Sequence, residues 1–214
     1  CVKRRKKKSA KHSLEKISAE QADVFTTVSE ITAAECKQFI GREVDIVTPN
    51  GFDSSIVPQG EAYIAAKASA RETLLKVASK MHNVEYTNDT VIIGIGGRYE
   101  YKNKGIDVLL DAIAKIKNGT FAGKKLLAYI MIPAGNNGPN KELVAKMNDN
   151  SKTDYTTFTS HYLSDPEYDA VMGKVRAMNL DPKSDNIGLV FVPSYLNGND
   201  GVFNTTYYNL LMGM

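Results

Sequence analysis

The sequence predicts an α/β fold: a Rossmann-like parallel sheet with flanking helices. Three observations predict it. The runs Val91-Ile92-Ile93-Gly94-Ile95-Gly96-Gly97, Leu126-Leu127-Ala128-Tyr129-Ile130-Met131-Ile132 and Ile187-Gly188-Leu189-Val190-Phe191-Val192 are short, apolar and closed by glycine or proline, as strands buried on both faces are. Between them, apolar residues recur at helical spacing. Strands that alternate with helices need right-handed crossovers, which make the sheet parallel and cover both faces.

From the beginning of the chain, residues 9–21 read as a helix with Ser9 as its cap and Leu14 and Ile17 on one face. Residues 22–28 form a β-rich run, and Ser29 suits the N-cap of a helix that continues to Phe39. Residues 43–47 read as a strand closed by the turn Pro49-Asn50-Gly51. Residues 59–81 are an alanine-rich helix with Leu74, Leu75, Val77 and Ala78 buried, and 83–89 a polar connector. After the 91–97 strand, Ile106, Leu109, Leu110, Ile113 and Ile116 mark the next helix. Helices follow at 140–148 and at 166–179, the second opened by Ser164-Asp165-Pro166. A last helix starts near Thr205 and runs to Met214.

Charge and cysteines narrow the setting. Six of the 27 lysines and arginines stand in one block, Lys3-Arg4-Arg5-Lys6-Lys7-Lys8, so the formal charge of +3 conceals a mildly acidic body. That body gives no general electrostatic case for nucleic acid, and the block reads as a solvated, disordered end at 1–8. No apolar run approaches the ~20 residues that span a bilayer, so no membrane partner is expected. Cys1 and Cys36 cannot build a disulfide framework, which places the chain in a reducing cytoplasm. The chain begins with Cys1 rather than Met, as a fragment would.

Ligands of parallel sheets bind outside the carboxyl ends of the strands, which selects loops 98–105, 133–139 and 193–204. In the first, Arg98 stands where a strand ends and Lys104 just before a helix. Two cations around a helix N-terminus suit a diphosphate clamp, although loop cations are more often simply solvated. Gly94-x-Gly96-Gly97 is not a dinucleotide fingerprint, because its third glycine would fall at Tyr99. His12, His82 and His161 lack partners at metal-ligand spacing and read as surface or packing residues. Asp165, Glu167 and Asp169 sit at a helix start, where carboxylates complement the dipole.

Four stretches together resemble, in order, the glycogen synthases of glycosyltransferase family 3, the animal, fungal and Bacteroidetes type. They are Ala22-Asp23-Val24-Phe25-Thr26-Thr27-Val28-Ser29-Glu30-Ile31-Thr32-Ala33, Thr48-Pro49-Asn50-Gly51, Gly97-Arg98-Tyr99-Glu100-Tyr101-Lys102-Asn103-Lys104-Gly105, and Val192-Pro193-Ser194-Tyr195-Leu196-Asn197-Gly198-Asn199.

The resemblance implies a GT-B enzyme, with two Rossmann-like domains across a donor cleft. Residues 9–50 would be the C-terminal tail of the first domain, 51–89 a helical connector, and 90–214 the first part of the nucleotide-sugar-binding domain. The implied reaction transfers glucose from UDP-glucose to the non-reducing end of glycogen, an α-1,4-glucan, with retention and without metal or other cofactor. The resemblance leaves room for a homo-oligomer in the full-length enzyme, whose state the sequence does not fix, and implies that the fragment alone is inactive. Arg98 and Lys104 match the cations that hold the donor diphosphate. Tyr195 and Tyr207 match aromatic positions at the uridine, and the Leu196 backbone the uracil edge; the bland reading packs both tyrosines between strand and helix. Lys16 aligns with an arginine of the animal and fungal members, keeping its charge and losing its planar fork. Two alternatives stand beside this: another GT-B nucleotide-sugar transferase, or a non-catalytic nucleotide- or glucan-binding module.

Overall fold

A computed structural model describes residues 2–119, 123–149 and 153–214, with side chains from Ser9 onward except that of Asp149. The chain forms two compact units, Cys1–Val57 and Pro58–Met214.

The first unit contains α1 (Val2–Gln21), β1 (Thr26–Thr27), α2 (Glu30–Phe39), β2 (Ile46–Val47) and a 3-10 turn at Ser54–Ile56. The helix expected from Ser9 begins at Val2 and takes up the backbone of the basic block, whose side chains lie outside the described residues, as does Cys1. Leu14 and Ile17 are exposed, while Ala19 is buried. Strands β1 and β2 pair in parallel, Thr26 with Ile46 and Thr27 with Val47. Ser29 caps α2 as expected, its Oγ accepting from Thr32 N at 3.2 Å. Arg42 ties the unit together: it donates to the carbonyls of Ala19 and Ala22, pairs with Asp45 at 2.8 Å, and lies 5.7 Å from the Phe25 ring centroid. Polar bonds therefore hold this unit more than apolar burial does.

The second unit is a three-layer α/β structure. Its elements are α3 (Glu61–His82), β3 (Val91–Gly96), α4 (Ile106–Ile116), β4 (Leu126–Met131), β5 (Asn136–Pro139), α5 (Lys141–Asp149), β6 (His161–Leu163), α6 (Ala170–Met178), β7 (Ile187–Val192) and α7 (Tyr207–Leu211). Strands β3, β4 and β7 form one parallel sheet with β4 in the middle. Their side chains alternate between two cores. Leu127, Tyr129, Met131, Val190 and Val192 meet α3, α5 and α7 through Leu74, Val77, Met81, Leu143 and Leu210. Ala128, Ile130, Leu189 and Phe191 meet α4 and α6 through Ile106, Leu110, Ile113, Val171 and Val175. Each buried Val, Leu, Ile, Met or Phe side chain among them contributes about 1.5–3 kcal/mol by leaving water.

Three expectations are corrected. Strand β3 is not buried on both faces: it pairs only with β4 among the described residues, and Val91 is 43% exposed. The helix expected from Pro166 opens at Ala170, because Asp169 rather than Ser164 takes the cap and accepts from Met172 N at 2.8 Å. An unexpected antiparallel pair, β5 with β6, follows β4. Helix α3, with its apolar face in the core, belongs to the same compact unit as the sheet it covers.

Among the described residues no buried side-chain nitrogen or oxygen lacks a hydrogen-bond partner. Tyr129 donates its hydroxyl to the Leu74 carbonyl at 2.6 Å. His82, 2% exposed, lies 2.9 Å from the Leu189 carbonyl through Nε2 and 2.8 Å from the Tyr86 hydroxyl through Nδ1. A carbonyl only accepts, so Nε2 carries the proton and Tyr86 donates to Nδ1. Burial keeps this imidazole neutral and pushes its pKa down to about 4. The pair stands over Gly188, where a Cβ would lie 2.1 Å from the Tyr86 hydroxyl oxygen. Among the described residues no helix is long and apolar enough to cross a membrane.

Candidate functional site

A cleft of about 640 Å³ opens at the carboxyl ends of β3, β4 and β7, lined by Gly97, Arg98, Tyr99, Met131, Pro133, Ser194, Tyr195, Leu196, Asn197 and Tyr207. This is where the topology of a parallel sheet places a ligand, and its size suits a small molecule. A larger open groove of about 800 Å³ runs beside α3, past Lys67, Arg71 and Tyr86. It draws no residue from the strand-end loops.

One wall comes from the loop between β3 and α4. Gly97 turns the chain at a φ of 142°, which only glycine adopts freely. Arg98 follows with its side chain 80% exposed and Nε 3.3 Å from Glu100 Oε1. Tyr99 anchors the loop: its hydroxyl donates to Asp169 at 2.5 Å and accepts from Val171 N at 3.3 Å. Burial first, and the bond to Asp169 second, push that phenol well above its ordinary pKa. Lys104 is exposed on the same loop but is not among the residues lining the cleft. The start of α4 is largely engaged with its own chain. Gly105 N donates to Lys102, Asp107 N to Tyr101, and Val108 N to the Asp107 carboxylate. Any attraction for an anion at this wall thus resides in side-chain cations rather than in free helix amides.

The opposite wall comes from the loop after β7. Tyr195 is 75% exposed beside the cleft, and Leu196 is half-buried against the α3 core. The Leu196 carbonyl accepts from Tyr207 N at 3.0 Å, and Asn197 bridges Thr206, so the two ends of the loop are clasped. Thr206 then caps α7, accepting from Asn209 N at 3.3 Å. Tyr207 reaches across to β3, where a Cβ on Gly96 would stand 2.2 Å from its hydroxyl oxygen. The close glycine thus serves ring packing rather than a dinucleotide turn.

The structure brings together Arg98, Tyr195, Leu196 and Tyr207. It leaves Lys104 outside the lining and places Lys16 on α1 of the first unit, half-exposed and 3.8 Å from Glu20. His82 and His161 are buried packing residues, each bonded to a backbone carbonyl. The loop selected after β4 supplies Pro133 to the floor of the cleft; Met131 beside it, and Asp200 beneath the second wall, were not singled out. The proline stops after β4 and β7 were the available signal for the floor.

Comparison with known proteins adds the family. The glycogen synthase family profile matches residues 3–149, a span that includes the Arg98 wall and ends before the aromatic one. The chain is similar to glycogen [starch] synthase isoform 2 of Saccharomyces cerevisiae, 24% identical over 95% of its own length and 38% of that protein's. It is 31% identical to the glycogen [starch] synthase of Dictyostelium discoideum over 62% of the chain and 16% of that protein. It is 30% identical to the human liver glycogen [starch] synthase over 62% of the chain and 20% of that protein. The chain therefore spans well under half the length of these relatives. With a matched profile over more than half its residues, and a strand-end cleft of the expected topology, the chain belongs to the glycogen synthase family.

Proposed function

We propose that residues 58–214 hold the nucleotide sugar in a retaining glucosyltransferase that moves glucose from UDP-glucose to the non-reducing end of an α-1,4-glucan. In this reading residues 9–50 are the tail of the N-terminal Rossmann-like domain, and the protein works in the cytoplasm. The observation that carries the proposal is the single cleft that gathers Arg98, Tyr195, Leu196 and Tyr207 at the carboxyl ends of three parallel strands.

The chemistry follows from the walls. As the bond between glucose and UDP breaks, negative charge grows on the diphosphate oxygens. A cation already in place stabilises that charge more than it stabilises the ground state. Arg98 pairs with Glu100 only at the surface, an interaction worth about 0–1 kcal/mol. It can therefore exchange that partner for a bidentate phosphate contact. Lys104 supplies a second, flexible positive charge from the same loop. Cations of the chain meet the developing charge, so the reaction as proposed requires no metal. The aromatic wall takes the uridine, where base stacking is worth roughly 1–3 kcal/mol.

The test is incorporation of radiolabelled glucose into glycogen by the full-length protein, comparing UDP-glucose with ADP-glucose. Incorporation from UDP-glucose is expected. UDP binding without transfer from either donor would make the chain a nucleotide-binding module instead.

A further inference from the structure

The loop between Leu196 and Tyr207 contains no regular element, yet it carries one wall of the cleft. One buried carboxylate organises it. Asp200, 7% exposed, accepts from Val202 N at 3.1 Å and Phe203 N at 2.8 Å through one oxygen, and from Asn204 N at 2.8 Å through the other. Its own carbonyl accepts from His161 Nε2 at 2.8 Å, and Nδ1 of that ring lies 2.9 Å from Ser160 Oγ. The loop is thus fastened to β6 by its backbone and folded on itself by a side chain. The fold turns Val202 and Phe203 into the core, where Phe203 meets Tyr129 edge-on at 6.3 Å. Asn204, at a φ of 51°, closes the turn by accepting from Gly201 N at 3.0 Å. A Cβ on Gly201 would stand 3.0 Å from Pro139 of β5, so the loop also rests closely on that strand.

We propose that Asp200 is the positioning residue for the aromatic wall: its carboxylate sets the course of residues 200–204 and thereby the relative placement of Leu196 and Tyr207 at the two ends. Asp200 does not line the cleft. It acts through backbone amides that would otherwise be unpaired beneath the wall, and an unpaired buried donor costs on the order of a hydrogen bond each time. The inference rests on the cleft being the donor site.

The replacement Asp200→Asn tests it with little change of shape. The amide oxygen can keep Val202 and Phe203, but the amide nitrogen then faces Asn204 N, donor against donor. In the full-length protein KM for UDP-glucose should rise about tenfold while kcat stays within about twofold, because the diphosphate wall is untouched. An unchanged KM, or a fall in kcat with KM unaltered, overturns the role. Should Asp200→Asn not fold, Asp200→Ser decides: its single hydroxyl can still accept from Val202 N or Phe203 N, while Asn204 N loses its acceptor. A rise in KM of about threefold at constant kcat supports the proposal, and wild-type constants overturn it. Calorimetric titration with UDP keeps this separate from the enzyme assignment. If the protein binds UDP without transferring glucose, the same rise appears in the UDP dissociation constant.

Discussion

The two walls of the cleft are built on opposite principles. The β3–α4 loop presents a long cation that is four-fifths exposed and held by a surface ion pair, with Tyr99 as its main anchor. The β7–α7 loop is wired from below by Asp200, clasped at both ends and plugged into the core by Val202 and Phe203. The first wall depends on charge that a flexible side chain can deliver. The second depends on shape, and shape has to be built before the ligand arrives. Damage to the first should therefore appear in the chemical step with little cost to the fold, and damage to the second in binding and stability together.

The sharpest break is Arg98→Ala in the full-length protein. If Arg98 meets the leaving diphosphate as proposed, its loss costs on the order of 3 kcal/mol in the transition state, so turnover should fall at least a hundredfold. The melting temperature should stay within a degree or two, since the side chain is exposed. Lys104→Ala makes the same prediction for a residue outside the lining. Near-normal turnover in both variants removes the charged wall from the mechanism.

Acid should attack the second wall and spare the first. Strand β7 and the loop after it are held by two buried neutral histidines, His82 at Leu189 and His161 at Asp200. Burial lowers both, and His82 reaches about 4. An unfolded histidine titrates near 6.5, so between that pH and 4 the unfolded chain binds the proton that the folded chain refuses. The contribution of His82 is fully present above about pH 6.5 and is lost as pH falls towards 4, by about 3 kcal/mol in all. Urea unfolding at pH 7, 5.5 and 4, in the wild type and in His82→Gln, reads it. Equal acid loss in the two proteins would assign the sensitivity elsewhere.

Gly96→Ala joins the two walls, because the new methyl must displace the Tyr207 ring. Overpacking of this kind costs about 1–3 kcal/mol, and UDP affinity should weaken about tenfold by calorimetry. Glu100→Gln is the smallest perturbation. It frees Arg98 from an exposed pair, so stability should change by less than about 0.5 kcal/mol and KM for UDP-glucose should fall by no more than about twofold.

Local pattern made much of this molecule readable. The apolar runs of β4 and β7 lie deep between two helical layers, and a strand buried on both faces has no choice but to be apolar throughout. Ser29 was readable for the same kind of reason, since a hydroxyl that meets the first free amides of a helix acts over three residues. What could not be read is decided by distant partners. Nothing in Asn136-Asn137-Gly138-Pro139 favours a strand, and β5 exists because β6 lies beside it. The exposure of Val91 reflects the place of β3 in the sheet, which its own residues do not encode. Asp169 starts α6 because it also receives the Tyr99 hydroxyl from a loop seventy residues earlier. In the cleft, Arg98 was accessible through its position after a strand, and the two tyrosines through the family resemblance. Asp200 was not, because its work is done on amides of the next four residues, and Asn199-Asp200-Gly201 by itself reads only as a turn.

Gly188 constrains how this sequence can drift. Its hydrogen is all that the Tyr86 hydroxyl leaves room for, and Tyr86 is held there by His82. A heavier residue on β7 can be inherited only by a lineage that has also surrendered the phenol or the imidazole on the helix side. The three positions should covary across descendants, and a single exchange at 188 should be absent wherever the other two are kept.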